Sequence, residues 1–384
     1  MNLVEKGKNS AQVFSLLQQK IVSKKSFLPE KTFSGYFASP EIEDLLKETN
    51  KMFFWANALS PMSFPSLKKY ESEVVAFLID LMQGDETVVG NMTTGSDENI
   101  LMALKVARDY CRETKPHIKN PEIIISRTAH PAFLKAAHYF NLKVQIVPLD
   151  ENYLPHLNEL EKLINDNTIL IAASAPSYAL GIIDPVEKMG VLAAKNNLLF
   201  HVDANVGGMI LPFLKHQPSI PKFDFKVKGV SSISIDLYYG MGPKGAGVNL
   251  YRDKILRKHQ YFAYTEYPGG LYGSPSLTGS RAGGPLAASW ALLNYLGRKG
   301  LEASIPTLPQ RRMNLQVLGE PLANIFAFTC PKIDQVHEQL LQKGWYLEKL
   351  SFVSALRIHL SPIHTHSLDL FFNDLDNILN EQSK

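Results

Sequence analysis

The chain has 384 residues, 45% hydrophobic and 20% charged, which is enough for one large α/β domain and a smaller one. Its 40 basic and 37 acidic residues leave a formal net charge of +3, and the basic knots are short pairs such as Lys24-Lys25 and Arg311-Arg312. That balance excludes the electrostatic footprint needed for nucleic-acid binding. The two cysteines, Cys111 and Cys330, lie far apart without CxxC spacing, which argues against a disulfide framework and a structural zinc and fits a reducing compartment. The N-terminus, MNLVEKGKNSAQVFSLLQQK, is interrupted by Lys, Glu and Gln where a signal peptide would be apolar. No stretch approaches the roughly 20 apolar residues of a membrane span, so the expectation is a soluble, cytoplasmic chain.

Residues 1–55 read as polar and helical, with Glu41 and Glu43 following Ser39-Pro40 where a helix would start. From Ser66 to Gln83, Leu67, Val74, Val75, Phe77, Leu78 and Leu81 recur at helical spacing, and Gly84-Asp85-Glu86 closes the segment. Short β-rich runs at 123–126, 144–149, 169–174, 198–204, 231–236 and 247–251 then alternate with helical stretches at 133–140, 157–165 and 186–196. This rhythm predicts a mostly parallel sheet covered by helices on both faces, with ligands at the carboxyl ends of its strands. After Gly283-Gly284 a helix over 285–297 leads through Pro306 and Pro309 into a tail that reads strand, helix, strand, helix. The expected division is an N-terminal arm (1–58), a large domain (59–288) and a small C-terminal α/β domain (289–384).

Two local patterns point to chemistry. Thr93-Thr94-Gly95-Ser96-Asp97-Glu98-Asn99 precedes an apolar-periodic helix. A Gly-Ser turn at a helix start offers free N–H groups and a hydroxyl at the positive end of the dipole, where a phosphate binds; an ordinary capped helix start fits the same residues. In His201-Val202-Asp203-Ala204, an acid ends a buried strand, which is costly unless a positive group meets it; an Asp capping the next loop is the plainer reading. His130, at the start of the helix after the 123–126 strand, supplies a ring that could stack on a flat cofactor. No G-x-G-x-x-G follows a strand, which argues against a dinucleotide-binding fold.

At this point the chain resembles a known family. Residues 53–110, the segment His130-Pro131-Ala132-Phe133-Leu134-Lys135-Ala136-Ala137, PSYALGIIDP (176–185), HVDANVGG (201–208), FDFKVKGVSSIS (223–234) and GGLYGSPSLTGSRAGG (269–284) are similar, in order, to segments of the sphingosine-1-phosphate lyase and group II pyridoxal 5'-phosphate (PLP)-dependent decarboxylase family. The likeness covers roughly residues 50–300 and is weaker in the tail. It implies a fold-type I PLP-dependent transferase-like α/β fold, with a mostly parallel, seven-stranded type of sheet. It also implies that Gly95 and Ser96 hold the cofactor phosphate, that His130 stacks on the pyridine ring and that Asp203 pairs with its nitrogen. Gly279 and Ser280 would reach the phosphate from the neighbouring subunit of a homodimer, and Asn57 and Tyr272 match positions near the substrate. The implied activity is cleavage of a carbon–carbon bond next to an amine carbon in a small-molecule amine or amino acid. Similarity over 123–149 and 223–284 favours the lyase side, and the absence of an anchor resembles the soluble, microbial type.

The pattern breaks at the reactive positions. The family's Schiff-base lysine stands in a segment resembling Asp-Thr-His-Lys-Tyr-Gly, whereas this chain reads Asp236-Leu237-Tyr238-Tyr239-Gly240, one residue shorter. Either placement of the gap leaves no lysine. Lys244 matches a second family lysine nearby and is the candidate substitute, although aldehyde chemistry tolerates little error in geometry. Two family histidines are also lost, at Ser60 and Leu180, and Asp97 puts a carboxylate where a phosphate should sit, a repulsive arrangement unless it points away. The second expectation is therefore a pseudoenzyme, a catalytically inactive homologue that binds or modulates a partner.

Overall fold

The computed structural model describes residues 7–20, 28–214, 220–309 and 315–382; Lys24-Lys25 and Arg311-Arg312 lie outside the described residues. Helices α1 (Ser10–Lys20), α2 (Pro40–Met52) and α3 (Pro65–Leu81) come first. Next are β1 (Val89–Thr93), α4 (Ser96–Thr114), β2 (Glu122–Ser126), α5 (Ala132–Phe140), β3 (Lys143–Val147) and α6 (Leu157–Leu163). The middle continues with β4 (Thr168–Ser174), α7 (Val186–Lys195), β5 (Leu199–Asp203), β6 (Ser232–Asp236) and β7 (Gly247–Tyr251). The short α8 (Lys254–Arg257), a hairpin of β8 (Phe262–Tyr264) and β9 (Tyr272–Ser274), and the long α9 (Gly283–Ala303) follow. The tail is β10 (Gln316–Val317), β11 (Ile325–Thr329), α10 (Ile333–Gln342), β12 (Glu348–Lys349), β13 (Leu356–His359) and α11 (Leu368–Gln382).

Strands β1 to β7 form one sheet in the order β1-β7-β6-β5-β4-β2-β3. Neighbours from β6 to β3 are parallel, as the strand–helix rhythm predicts. β7 runs antiparallel to both β6 and β1. The reason is chain length: only residues 237–246 separate β6 from β7, fewer than the dozen or so that a crossover to a parallel neighbour needs. β1 escapes the sequence reading because Gly90 and Asn91, both poor strand formers, stand inside it.

Every residue of β2, β4, β6 and β7 is buried, as a sheet covered on both faces requires. Ile123 and Ile125 pack with Ile100, Leu104 and Phe133 of α4 and α5. The intervening Ile124 joins Ile171, Phe200 and Ile233 in the core on the other face, with residues of α3, α7 and α9, because alternate strand residues point to opposite faces. The carboxyl ends of β1, β4, β5 and β6 consequently share one edge, where Thr93 and Asp236 both pair with Gly247, and Ser174 and Ser234 both pair with Asp203.

The second sheet, β10-β11-β13-β12, is antiparallel throughout. Phe326, Phe328, Leu356 and Ile358 pack against Val336 and Leu340 of α10 and Phe371 and Leu375 of α11. Phe33, from the segment between α1 and α2, enters this core and stacks on Trp345 with ring centroids 5.7 Å apart. Backbone bonds from Phe33 N to Tyr346 O and from His359 N to Phe33 O stitch it down. Gly181 brings the two sheets close: a Cβ there would stand 2.0 Å from Ile325 O, and its φ is +74°. Among the described residues no helix is long and apolar enough to cross a membrane.

Candidate active site

Helix α4 opens almost directly from β1. Gly95 takes φ +116°, a conformation that side chains disfavour, and the turn leaves the Ser96 N–H and hydroxyl at the positive end of α4. Both donate to Asp236 Oδ2, at 3.0 Å from the nitrogen and 2.5 Å from Oγ. Asp236 Oδ1 accepts from Tyr238 N at 3.0 Å and so caps the 3-10 turn Leu237–Gly240. A carboxylate of the chain itself thus occupies the anion seat. Asp97, the acid flagged in the sequence, is turned outward to Lys135 at 2.7 Å and is half exposed.

Asp203 ends β5 and is 7% exposed. Asn205 N at 3.1 Å, Asn205 Nδ2 at 2.7 Å and Ser234 Oγ at 3.4 Å all donate to Oδ1. Among the described residues no hydrogen bond reaches Oδ2. Asn205 is itself held by Asn99 Nδ2 at 2.8 Å, and Thr93 Oγ1 donates to Asn99 Oδ1, so a buried side-chain relay runs from β1 through α4 to Asp203. Burial pushes the Asp203 carboxyl up; the neighbouring His130 and the Asn205 and Ser234 bonds pull it back. A second buried carboxyl, Asp184, accepts from Ser174 N at 2.7 Å, and burial, with the Asp203 charge adding, raises it to about 7.

His130 precedes α5, where its Nδ1 accepts from Ala132 N at 3.2 Å, and its ring centroid lies 6.3 Å from that of Tyr178. In the segment aligned with the family's lysine, the Tyr238 hydroxyl accepts from Tyr36 N at 2.9 Å. The Tyr239 hydroxyl meets that of Tyr178, and its ring centroid is 5.3 Å from that of His359. His359 is wholly buried with neither ring nitrogen hydrogen-bonded among the described residues, and burial takes it down to about 3. Arg357 stacks on Tyr178 at 3.8 Å. Lys244 is exposed, with its ammonium 5.3 Å from the centroid of the Tyr238 ring.

The structure therefore brings Gly95, Ser96, His130 and Asp203 to one edge of the sheet and places the others elsewhere. Asn57 Oδ1 accepts from Leu59 N and Arg281 N, each at 3.0 Å, so it anchors the loop that carries Gly279 and Ser280. Arg281 is clamped by Glu71 through two bonds of 3.0 and 2.8 Å. The Tyr272 hydroxyl lies 3.6 Å from the Cβ position of Gly279. No hydrogen bond or ring contact among the described residues joins Tyr272, Gly279 or Ser280 to Asp203 or Ser96. The sequence reading missed Asn99, Tyr178, Asp184, Asn205 and His359. Asn99, Tyr178, Asp184 and Asn205 lie inside resembling segments, yet only the fold shows what they touch.

The ring end of the site fits PLP, because a buried carboxylate whose Oδ2 accepts no hydrogen bond among the described residues suits a cation, and a protonated pyridine nitrogen supplies one. The phosphate end has the right donors, but Asp236 holds them. Comparison with known proteins agrees with the architecture. A family model described as Aminotransferase class-V matches residues 69–282. Sphingosine-1-phosphate lyase of Oryza sativa subsp. japonica is 39% identical over 362 residues, covering 88% of this chain and 67% of that protein. A probable L-tyrosine/L-aspartate decarboxylase of Methanothermobacter thermautotrophicus is 32% identical over 340 residues, covering 85% and 92%. A solved sphingosine-1-phosphate lyase of Burkholderia pseudomallei superposes with TM-score 0.92 at 32% identity, covering 99% of this chain and 92% of that one. The chain spans about two thirds of the length of the plant and rat lyases it matches, at 67%, 64% and 66%.

Proposed function

Because the chain belongs to the sphingosine-1-phosphate lyase and group II decarboxylase family of PLP-dependent, fold-type I proteins, we propose that it is a carbon–carbon lyase-type protein that holds PLP by contacts and not by a lysine tether. The observation that carries this reading is buried Asp203 at the end of β5, held through Oδ1 while no hydrogen bond reaches Oδ2 among the described residues. PLP, when bound, supplies an electron-withdrawing ring that takes up the charge left on carbon as a neighbouring bond breaks. Asp203 keeps the ring nitrogen protonated, and Asn205, Ser234 and Asn99 fix that carboxylate in place. His130 stacks on the ring, while Gly95 and Ser96 receive the phosphate. Burial pushes the Tyr178 and Tyr239 phenols up, so both are neutral at neutral pH and can serve as hydrogen-bond donors to a ligand. The substrate class is a small-molecule amine or amino acid, with a phosphorylated long-chain amino alcohol favoured over decarboxylation by the similarity across 123–149 and 223–284. The site acts in the cytoplasm as part of a homodimer, in which Gly279 and Ser280 complete the partner's phosphate seat and Tyr272 and Asn57 flank its substrate.

Without a lysine, turnover forgoes acid–base help worth roughly 10² to 10⁴-fold. A second reading, an inactive homologue that modulates a partner, is supported by the lysine missing from the segment 236–240. Incubation with one equivalent of PLP, borohydride reduction and peptide mapping test the first reading: retained cofactor with no stoichiometric adduct at any single lysine is expected, and a stoichiometric adduct on Lys244 would reinstate a tether. Release of a long-chain aldehyde from a phosphorylated long-chain amino alcohol supports the lyase; none over hours, with PLP bound, leaves the inactive homologue.

A further inference from the structure

Glu98, in the first turn of α4, is 6% exposed and uses both carboxylate oxygens. Oε2 accepts from Thr94 N and Thr94 Oγ1, each at 2.7 Å, which pins the turn that leads through Gly95 to Ser96. An acid reaching back over a helix start is an ordinary capping arrangement. That role leaves the other oxygen unexplained: Oε1 accepts from Leu277 N at 2.7 Å, 179 residues along the chain, on the loop between β9 and α9. The Ser274 hydroxyl folds this loop on itself, bonding Ser276 O at 3.1 Å and Thr278 O at 3.2 Å. Gln260 and Asn57 fasten its two ends, the first donating to Pro275 O at 2.7 Å and the second accepting from Arg281 N at 3.0 Å. Glu98 holds the middle, and of these three it alone also grips the turn at Thr94. A cavity of about 40 Å³ lined by Thr94, Glu98, Ser276 and Arg281, among others, lies between turn and loop, so the carboxylate bridges a joint that is not close-packed. Beyond it the loop leaves Ser280 exposed.

We propose that Glu98 is a positioning residue that holds the 274–281 loop in register with the Gly95–Ser96 turn. One protomer's phosphate seat and the Gly279 and Ser280 it presents to its partner then form one rigid unit. The proposal rests on the reading of this edge as a shared PLP site and adds the residue that aligns its two halves. Both ends of the side chain must accept, which a carboxylate can do and an amide, with one oxygen and one NH₂, cannot.

Pyridoxine 5'-phosphate and pyridoxine are suitable probes, since neither carries an aldehyde that would react with surface lysines. Binding of each to the full chain, Glu98→Gln, Ser280→Ala and the double variant is followed by isothermal calorimetry at neutral pH. Removing a negative charge near the seat would by itself tighten an anion's binding, whereas lost alignment weakens it, so the sign separates the two effects. Glu98→Gln should bind the phosphate ester roughly tenfold more weakly and pyridoxine as before. Ser280→Ala should weaken the ester too, but add nothing in the Glu98→Gln background. Glu98→Asp keeps the charge, is one methylene shorter and should be as weak as Glu98→Gln; it makes the same comparison should the amide variant not fold, as checked by circular dichroism. An unchanged or tighter ester, an equal loss for pyridoxine, or losses that multiply in the double variant overturn the proposal alone. If Ser280→Ala binds the ester like the parent, the shared seat is wrong and the proposal goes with it; a parent that binds neither ring overturns the cofactor reading and the proposal together.

Discussion

Five side chains decide what the sheet edge can do: Asp203, Asp184, Asp236, Ser96 and Asn205. Three of them are acids in one buried neighbourhood, and their differences come from what each touches. Asp203 has Asn205 and Ser234 on one oxygen, Asp236 has the helix start, and Asp184 has a single backbone N–H. With so little to stabilise its charge, Asp184 rises from the usual 3.8 to about 7. A carboxyl raised by folding binds its proton more tightly in the native state. Its contribution to stability is therefore complete below about pH 3.8 and is lost as pH climbs through about 7. The buried His201 and His359 work in the opposite sense: both fall to about 3, so their contribution is present above about 6.5 and disappears on acidification. Asp184→Asn should remove only the first effect. Its melting temperature, measured against the parent from pH 5 to 8, should gain on the parent by a few degrees across that range; a constant offset would refute the assignment.

At the scale of elements, the important joints are between pieces distant in sequence. Arg281, on the loop before α9, reaches Glu71 on α3 and Met92 O on β1, while Glu71 also accepts from Met92 N at 2.9 Å. Their side chains are only 10% and 16% exposed, so the pair is held by geometry and desolvation together. Glu71→Ala strands the guanidinium and should cost about 3–5 kcal/mol in urea unfolding; a cost under about 1 kcal/mol would mean that the pair behaves as a surface bridge. The periodic helices and most strands of the large sheet were legible in the sequence, since fully buried parallel strands are apolar runs and amphipathic helices repeat every three to four residues. β1 and the antiparallel sense of β7 were not. The first has weak strand chemistry, and the second follows from the length of a connection.

Across the whole molecule, two segments linked to the proposed shared site leave large apolar side chains open: Trp55 is 88% exposed in the segment that Asn57 ties to Arg281, and Leu271 is 76% exposed beside Tyr272. Apolar side chains left this open on segments assigned to a shared site suit burial against a second copy. The proposed homodimer accounts for it, and also for loop residues assigned to a site they do not touch in their own chain. Trp55→Glu combined with Leu271→Glu should convert the dimer to a species sedimenting at the 42.9 kDa chain mass and lower PLP retention in parallel. A parent that already sediments as a monomer would remove the basis of the shared site.

The order of apolar runs, the Gly-Ser turn at 95–96 and the acid at 203 were determined by sequence alone, because periodicity, helix-start chemistry and an acid closing an apolar strand are local properties. The tertiary structure alone decided that Asp97 turns outward while Asp236 takes the seat at Ser96, that Asn99 and Asn205 brace Asp203, and that Tyr239 meets Tyr178 and His359. Apart from the local Asn205–Asp203 bonds, each of these pairings spans tens to hundreds of residues. It exists only because parallel strands deliver their carboxyl ends to one edge, where burial makes every charge answer to its nearest partner.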